Sequence, residues 1–191
     1  TLWSFGSFMM HANVGLFTPI VWNKVMLVGM FGGPVAFFTT MINLLGIDKK
    51  RYRFLSIAGY VIYLFLIYLD LKGAVVSSAG FGPDGVFFYE LGKGAWLAYS
   101  ILYFYFALSI YVLLGELRRC TNKFKRKTLR LLLIGAFIIV CSVALNLYKP
   151  LGRYPIDLVA TTVNAIIIFY SVYKYRLIHY SSKVVNIFLV F

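Results

Sequence analysis

Residues 95–130 read AWLAYSILYFYFALSIYVLLGELRRCTNKFKRKTLR. From Ala95 to Leu114 there is no charged side chain; from Gly115 to Arg130 there are seven Lys and Arg against the single acid Glu116. About 20 apolar residues is the length of helix that crosses a hydrocarbon core, and a cluster of cations at its end marks the cytoplasmic side. Four more runs of this kind follow outward from it: Val25–Leu45, Phe54–Leu69, Leu131–Tyr148 and Ile156–Tyr173. Leu2–Leu16 reads as the last part of a further span. Barrel strands alternate over about ten residues, and these runs are too long and too continuously apolar for that. The expected fold is an all-α integral membrane protein, a polytopic transmembrane helix bundle of five full spans plus one partial.

Composition agrees. Of 191 residues, 61% are hydrophobic and 13% charged, where soluble domains average about 45–50% and about 25%. Mean hydropathy is +0.83. Buried in one soluble core, this much apolar surface would leave large exposed patches.

The net charge of +13 is a topology signal. If the spans simply alternate, the segments 46–53, 115–130 and 174–191 share one side and hold 14 of the 19 cations with two of the six acids, net +12. The opposite side is left with +1. The cation-rich side, and with it the C-terminus, is therefore expected to be cytoplasmic. Nucleic acid is not an implied partner; the lipid bilayer is, with Arg118, Arg119, Lys123, Lys125, Arg126, Lys127 and Arg130 placed for anionic headgroups. The expected organisation is a bundle over 1–176, with an extracytoplasmic loop at 70–94 and a basic cytoplasmic loop at 115–130. A linker or signalling helix starts at 177–191. The loop 70–94 is glycine-rich with apolar clusters, the composition of a short hairpin or a lid. Trp22, Trp96, Tyr148 and Tyr154 fall at aromatic-belt positions. The chain opens at Thr1 inside an apolar run, which reads as the continuation of a longer sequence.

Several chemistries are excluded. Cys120 and Cys141 sit in unlike surroundings and form no metal-ligand spacing. Two distant histidines, His11 and His179, do not supply the facing axial pairs of a membrane cytochrome. A retinal Schiff base needs a lysine inside the last span, and Ile156–Tyr173 has none. No catalytic motif appears. No catalytic residue, cofactor or metal is expected.

Four local patterns carry a resemblance. The first is Leu2-Trp3-Ser4-Phe5-Gly6 followed by Trp22-Asn23-Lys24, with Pro34 inside the next span. The second is Trp96-Leu97 with Tyr99, Tyr103 and Tyr105. The third is Arg126-Lys127-Thr128-Leu129-Arg130 leading to Gly135, with Asn146 later. The fourth is Asp157, then Tyr170 and Tyr173, with the exit Tyr175-Arg176-Leu177. In this order the chain resembles the N-terminal seven-transmembrane region of bacterial sensor histidine kinases and related signalling proteins, with the first one and a half spans missing. The resemblance implies a sensory domain in a multi-pass bacterial cytoplasmic membrane protein, a homodimer, and a cytoplasmic output domain in the parent chain. Kinase activity is implied only for that parent.

On this reading Asp157, Asn146, Trp96, Tyr99 and Tyr103 are the candidates for an extracytoplasmic or membrane ligand whose identity the sequence does not name. Each has a plainer reading. Asp157 follows Pro155 and suits a helix N-terminus; the asparagine ties helices together; Tyr99 and Tyr103 share a face and pack. Pro34, Tyr175, Arg176 and Leu177 are the candidates for signal transmission, Pro34 as a hinge or only a kink. His11 is a lone pH-sensing candidate. Gly59, Gly135 and Ala136 are expected at close helix contacts. The competing class is a transporter, channel or accessory membrane subunit, against which stand the nearly uncharged spans and the lack of an inverted repeat.

Overall fold

The computed structural model describes residues 2–12, 17–47, 49–83, 85, 87–146, 154 and 156–175, without the side chains of 146, 157 and 172–175. Six helices and one hairpin follow each other: α1 (Leu2–His11), α2 (Pro19–Leu45), α3 (Lys50–Leu71), β1 (Val76–Phe81), β2 (Phe87–Leu91), α4 (Ala95–Arg119), α5 (Lys123–Asn146) and α6 (Ile156–Tyr175). Among the described residues four helices, α2 to α5, are long and apolar enough to cross a membrane. α6 runs for 20 residues, and Leu158–Ser171 within it is apolar. The ten residues of α1 fit the end of a span.

Local chemistry sets the helix ends. Pro19 stands at the start of α2, where a missing N–H costs nothing. At the other end Gly46 turns left-handed at φ 65°, and the Ile47 N–H donates to the Ile42 carbonyl at 3.0 Å, closing the helix. Pro34 lies within α2 without ending it.

α2 is the organising element. It packs against α1, α3, α4 and β1; α4 packs against α5, α5 against α6, and α6 returns to α1. Side chains that face outward are apolar: Phe54 and Leu64 of α3, Tyr111 of α4, Phe137 of α5 and Phe169 of α6 are all more than half exposed. Water would not tolerate such a surface, and a bilayer requires it.

Small residues let the helices approach. A Cβ on Gly59 would fall 2.8 Å from the Tyr105 ring and 2.8 Å from Val35 Cγ1. One on Gly135 would strike Asn164 Oδ1, and Ala136 is buried beside it. These contacts match the expectation from sequence. Tyr105 donates its hydroxyl to the Leu55 carbonyl at 2.9 Å, tying α4 to α3. Tyr105→Phe is expected to cost about 1 kcal/mol or less, because it orphans only a carbonyl within a helix. Gly59→Leu should cost more, since it overpacks the same spot. Thermal midpoints in detergent rank the two.

Two expectations change. Residues 115–130 are mostly not a loop: α4 runs on to Arg119 and α5 begins at Lys123, leaving only 120–122 between them. Lys and Arg are good helix formers, so the helices continue past the apolar run. Asn122 accepts the N–H groups of Phe124 and Lys125 at 2.9 and 3.2 Å and caps α5. Trp22 is not a belt residue. It is buried, edge-on to Phe5 and Phe17 at 5.7 and 5.5 Å.

Candidate functional site

The glycine-rich connection folds as an antiparallel hairpin with Phe81 opposite Phe87 and Ala79 opposite Tyr89. One face of it turns inward, leaving Phe88 and Leu91 exposed: Phe87 is buried with Met10 and Trp22, and Ala79, Phe81 and Tyr89 pack against that cluster. The hairpin is therefore a cap on the end of the bundle away from the basic helix ends.

Under the cap lies a chamber. Ser7, Met10 and His11 of α1 line it, with Asn23, Met26, Leu27 and Met30 of α2. Both sets recur at three- and four-residue steps, so each is one helix face. Val76, Phe87 and Tyr89 of the hairpin, Tyr99 of α4 and the largely exposed Tyr154 complete it.

Its polar groups are only partly satisfied. His11 Nδ1 lies 2.8 Å from the Ser7 carbonyl, so that nitrogen carries the proton, while Nε2 is buried with no partner. Asn23 donates through Nδ2 to the Met10 sulfur at 3.6 Å, and its Oδ1 is left without a donor. Ser7 Oγ is buried and unpartnered too. Buried polar atoms normally find partners; here three on two facing helix faces do not. The free space is about 30 Å³, room for about two water molecules.

A second feature lies at the same end of the bundle. Asp70, near the end of α3, is 1% exposed and neither carboxylate oxygen has a hydrogen-bond partner. Lys24 is the cation that acts on it, and Lys24 Nζ donates to the Leu71 carbonyl at 3.1 Å.

The candidates drawn from sequence are dispersed. Tyr99 lines the chamber. Tyr103, one turn further along α4, has a buried hydroxyl without a partner. Trp96 is 74% exposed and apart from the chamber, as suits a membrane–water boundary. Asn146 ends α5 and Asp157 is the second residue of α6; both side chains lie outside the described residues. So does that of Tyr175, which ends α6, and so do Arg176 and Leu177 altogether. Arg118, Arg119, Lys123, Lys125, Arg126, Lys127 and Arg130 are all exposed around one tight turn. The start of α5 has no acid in its first turn, so the cations there crowd a positive helix end.

Ser7, Asn23, Asp70 and the three methionines were not among the sequence candidates. The face spacing of Ser7 with Met10, and of Asn23 with Met26 and Met30, was the available signal. Nothing in it says that these two faces meet.

The family model for the N-terminal 7TM region of histidine kinase matches residues 1–180. No curated protein and no solved structure matches the chain.

Proposed function

We propose, because this chain belongs to the family that forms the N-terminal 7TM region of histidine kinases, that it is the sensory membrane domain of such a kinase. In this reading the hairpin end is extracytoplasmic and the basic end cytoplasmic, which the charge distribution supports. The observation that carries the reading is the position of α1. It lines the capped chamber with Ser7, Met10 and His11 and also packs against α6. An occupant that changes how α1 sits on α2 therefore changes the seat of α6, the helix that leads to Tyr175-Arg176-Leu177 and the cytoplasmic output domain. Signalling needs only two seats of α6 with different affinity for the occupant. Asn146 and Asp157, at the ends of α5 and α6, remain the ligand candidates of those helices, and Pro34 weakens α2 beyond its contact with α1 at Gly29. The exposed cations from Arg118 to Arg130 hold the basic end against lipid phosphates, and a homodimer couples two copies of the output.

Autophosphorylation of the full-length parent in nanodiscs tests this. Asp157→Asn, and separately replacement of residues 76–91 by a Gly/Ser linker, are each expected to shift basal or stimulated activity by about fivefold or more, the size of an ordinary coupling energy. Unchanged activity and unchanged response in both would remove the hairpin end from the mechanism.

A further inference from the structure

The three unpartnered atoms under the cap belong to one turn of the α1–α2 contact. Gly6 lies against Met26 and Gly29 against Trp3, so the two helices run antiparallel in a fixed register. That register sets Asn23 level with Met9, midway between Ser7 and His11. At a rise of about 1.5 Å per residue, Asn23 is within about 3 Å of either along the helix axis. His11 is folded back toward Ser7, because its Nδ1 donates to the Ser7 carbonyl at 2.8 Å. Asn23 is held over α1 by the bond from its Nδ2 to the Met10 sulfur at 3.6 Å. Ser7 Oγ, His11 Nε2 and Asn23 Oδ1 are therefore at one level of the chamber, buried, and without partners. Ser7 is 0% and Asn23 2% exposed, so bulk water does not serve them.

The chemistry of these atoms is one-sided. His11 Nε2 can only accept, because Nδ1 carries the proton, and Asn23 Oδ1 can only accept; the Ser7 hydroxyl does either. The unpartnered Trp22 N–H is not part of the lining. A wall of acceptors suits an occupant rich in donors. Water brings two donors, but its two lone pairs find only the Ser7 hydroxyl among the unpartnered atoms. An ammonium ion brings four donors and no lone pair, and at about the size of a water molecule it fits the free space of about 30 Å³. The rings of Phe87, Tyr89 and Tyr99 border the same space, and aromatic rings stabilise a desolvated cation. No carboxylate lines the chamber, so a single positive charge suits it and a divalent ion does not. Lys24 does not compete, since its ammonium is held on the Leu71 carbonyl outside the lining. Tyr154, the exposed member of the lining, marks the way in.

We propose that the chamber under the hairpin is a binding site for an ammonium ion, which donates to Ser7 Oγ, His11 Nε2 and Asn23 Oδ1. Bound there, the ion bridges α1 to α2 through groups of both helices. Binding itself stands apart from the kinase reading; only its meaning as a signal rests on it.

The test follows amide hydrogen exchange of α1 in the purified full-length kinase, in nanodiscs at pH 7. Ammonium chloride replaces potassium chloride stepwise at constant ionic strength. An ion that binds only while α1 sits on α2 slows the opening of α1, by about tenfold at ten times its half-saturating concentration. Wild type is expected to show that slowing with ammonium and not with potassium. Ser7→Ala and Asn23→Leu each remove one acceptor and leave no buried polar atom in its place. Each is expected to raise the half-saturating concentration at least about tenfold, the loss of a hydrogen bond from a charged donor. Ser109→Ala, a buried serine of α4 outside the chamber, should leave it unchanged. Equal slowing by potassium, no slowing by ammonium, or an unchanged half-saturating concentration in both Ser7→Ala and Asn23→Leu would overturn the site. Autophosphorylation of the same samples separates the two readings. Ammonium-specific slowing without any change in phosphorylation upholds the site and detaches it from sensing. A kinase response to another stimulus with no ammonium-specific slowing removes the site and leaves the sensory reading standing.

Discussion

Gly29→Leu is expected to detach α1 from α2 and to abolish the chamber. The two helices touch backbone to backbone. A Cβ on Gly29 would strike the Trp3 nitrogen, and a Cβ on Gly6 would sit 2.6 Å from the Met26 nitrogen and 2.8 Å from its Cα. Backbone atoms cannot rotate away as a side-chain tip can, so the helices must separate. Overpacking a well-fitted site costs about 1–3 kcal/mol when side chains can adjust; here they cannot, and about 3 kcal/mol is the lower end of the expectation. Separation also withdraws Ser7, Met10 and His11 from the chamber and loosens the seat of α6 on α1. Gly33→Ala is the control on the same helix. Nothing lies within 4 Å of its added Cβ, and removing a helix glycine should stabilise by up to about 1 kcal/mol. The measurement is the fraction of protein that stays monodisperse in detergent after heating. A Gly29→Leu variant as heat-resistant as wild type would sink the account of the α1–α2 contact.

The same pair of helices shows what the sequence could and could not say. Apolar length and charge alternation placed some helix ends, with the run beginning at Ala95 opening α4 and α2 closing at Leu45, and missed others, since α2 opens at Pro19 and not Val25. Both signals come from the bilayer, which acts on each segment alone. The basic loop was drawn too long because hydropathy reports where a helix leaves the membrane, not where it stops. Trp22 was misplaced because an aromatic at a helix end serves a belt or a cap equally well; the hairpin, folded back over it, decides. For the site, Tyr99 was legible from its position, while Ser7, Asn23 and the methionines were not. Their chemistry depends on two faces meeting, and that depends on Gly6 and Gly29, whose importance is invisible until the helices are in contact. Asp70 was read as the first residue of a loop, since it ends an apolar run. The group that acts on it, Lys24, is distant in sequence.

Asp70→Leu is expected to raise stability, and Lys24→Met to lower it. Asp70 is almost wholly buried, and the turn beyond it offers its carboxylate nothing: the Gly73 N–H donates instead to the Asp70 backbone carbonyl at 2.8 Å. A buried carboxylate without donors is a desolvation cost, and replacing such a group with a packed apolar side chain stabilises by about 1–4 kcal/mol. Lys24 offsets part of that cost. Its ammonium is held on the Leu71 carbonyl, at the negative end of α3, and acts on Asp70 from there. Because the two charges are not in hydrogen-bond contact, losing Lys24 should cost less than the 3–5 kcal/mol seen when a directly paired buried charge loses its partner, about 1–3 kcal/mol. In the Asp70→Leu background, Lys24→Met should cost only the bond to Leu71, about 1 kcal/mol. Strict additivity across the four proteins would show that Lys24 and Asp70 do not act on each other. The kinase assay then gives the result its meaning. An ionisable group held at a cost in a membrane helix is a functional-site hypothesis in its own right. A variant that is more stable and no longer responds would place Asp70 in the signalling machinery. One that is more stable and responds normally would leave it a local fault that Lys24 repairs.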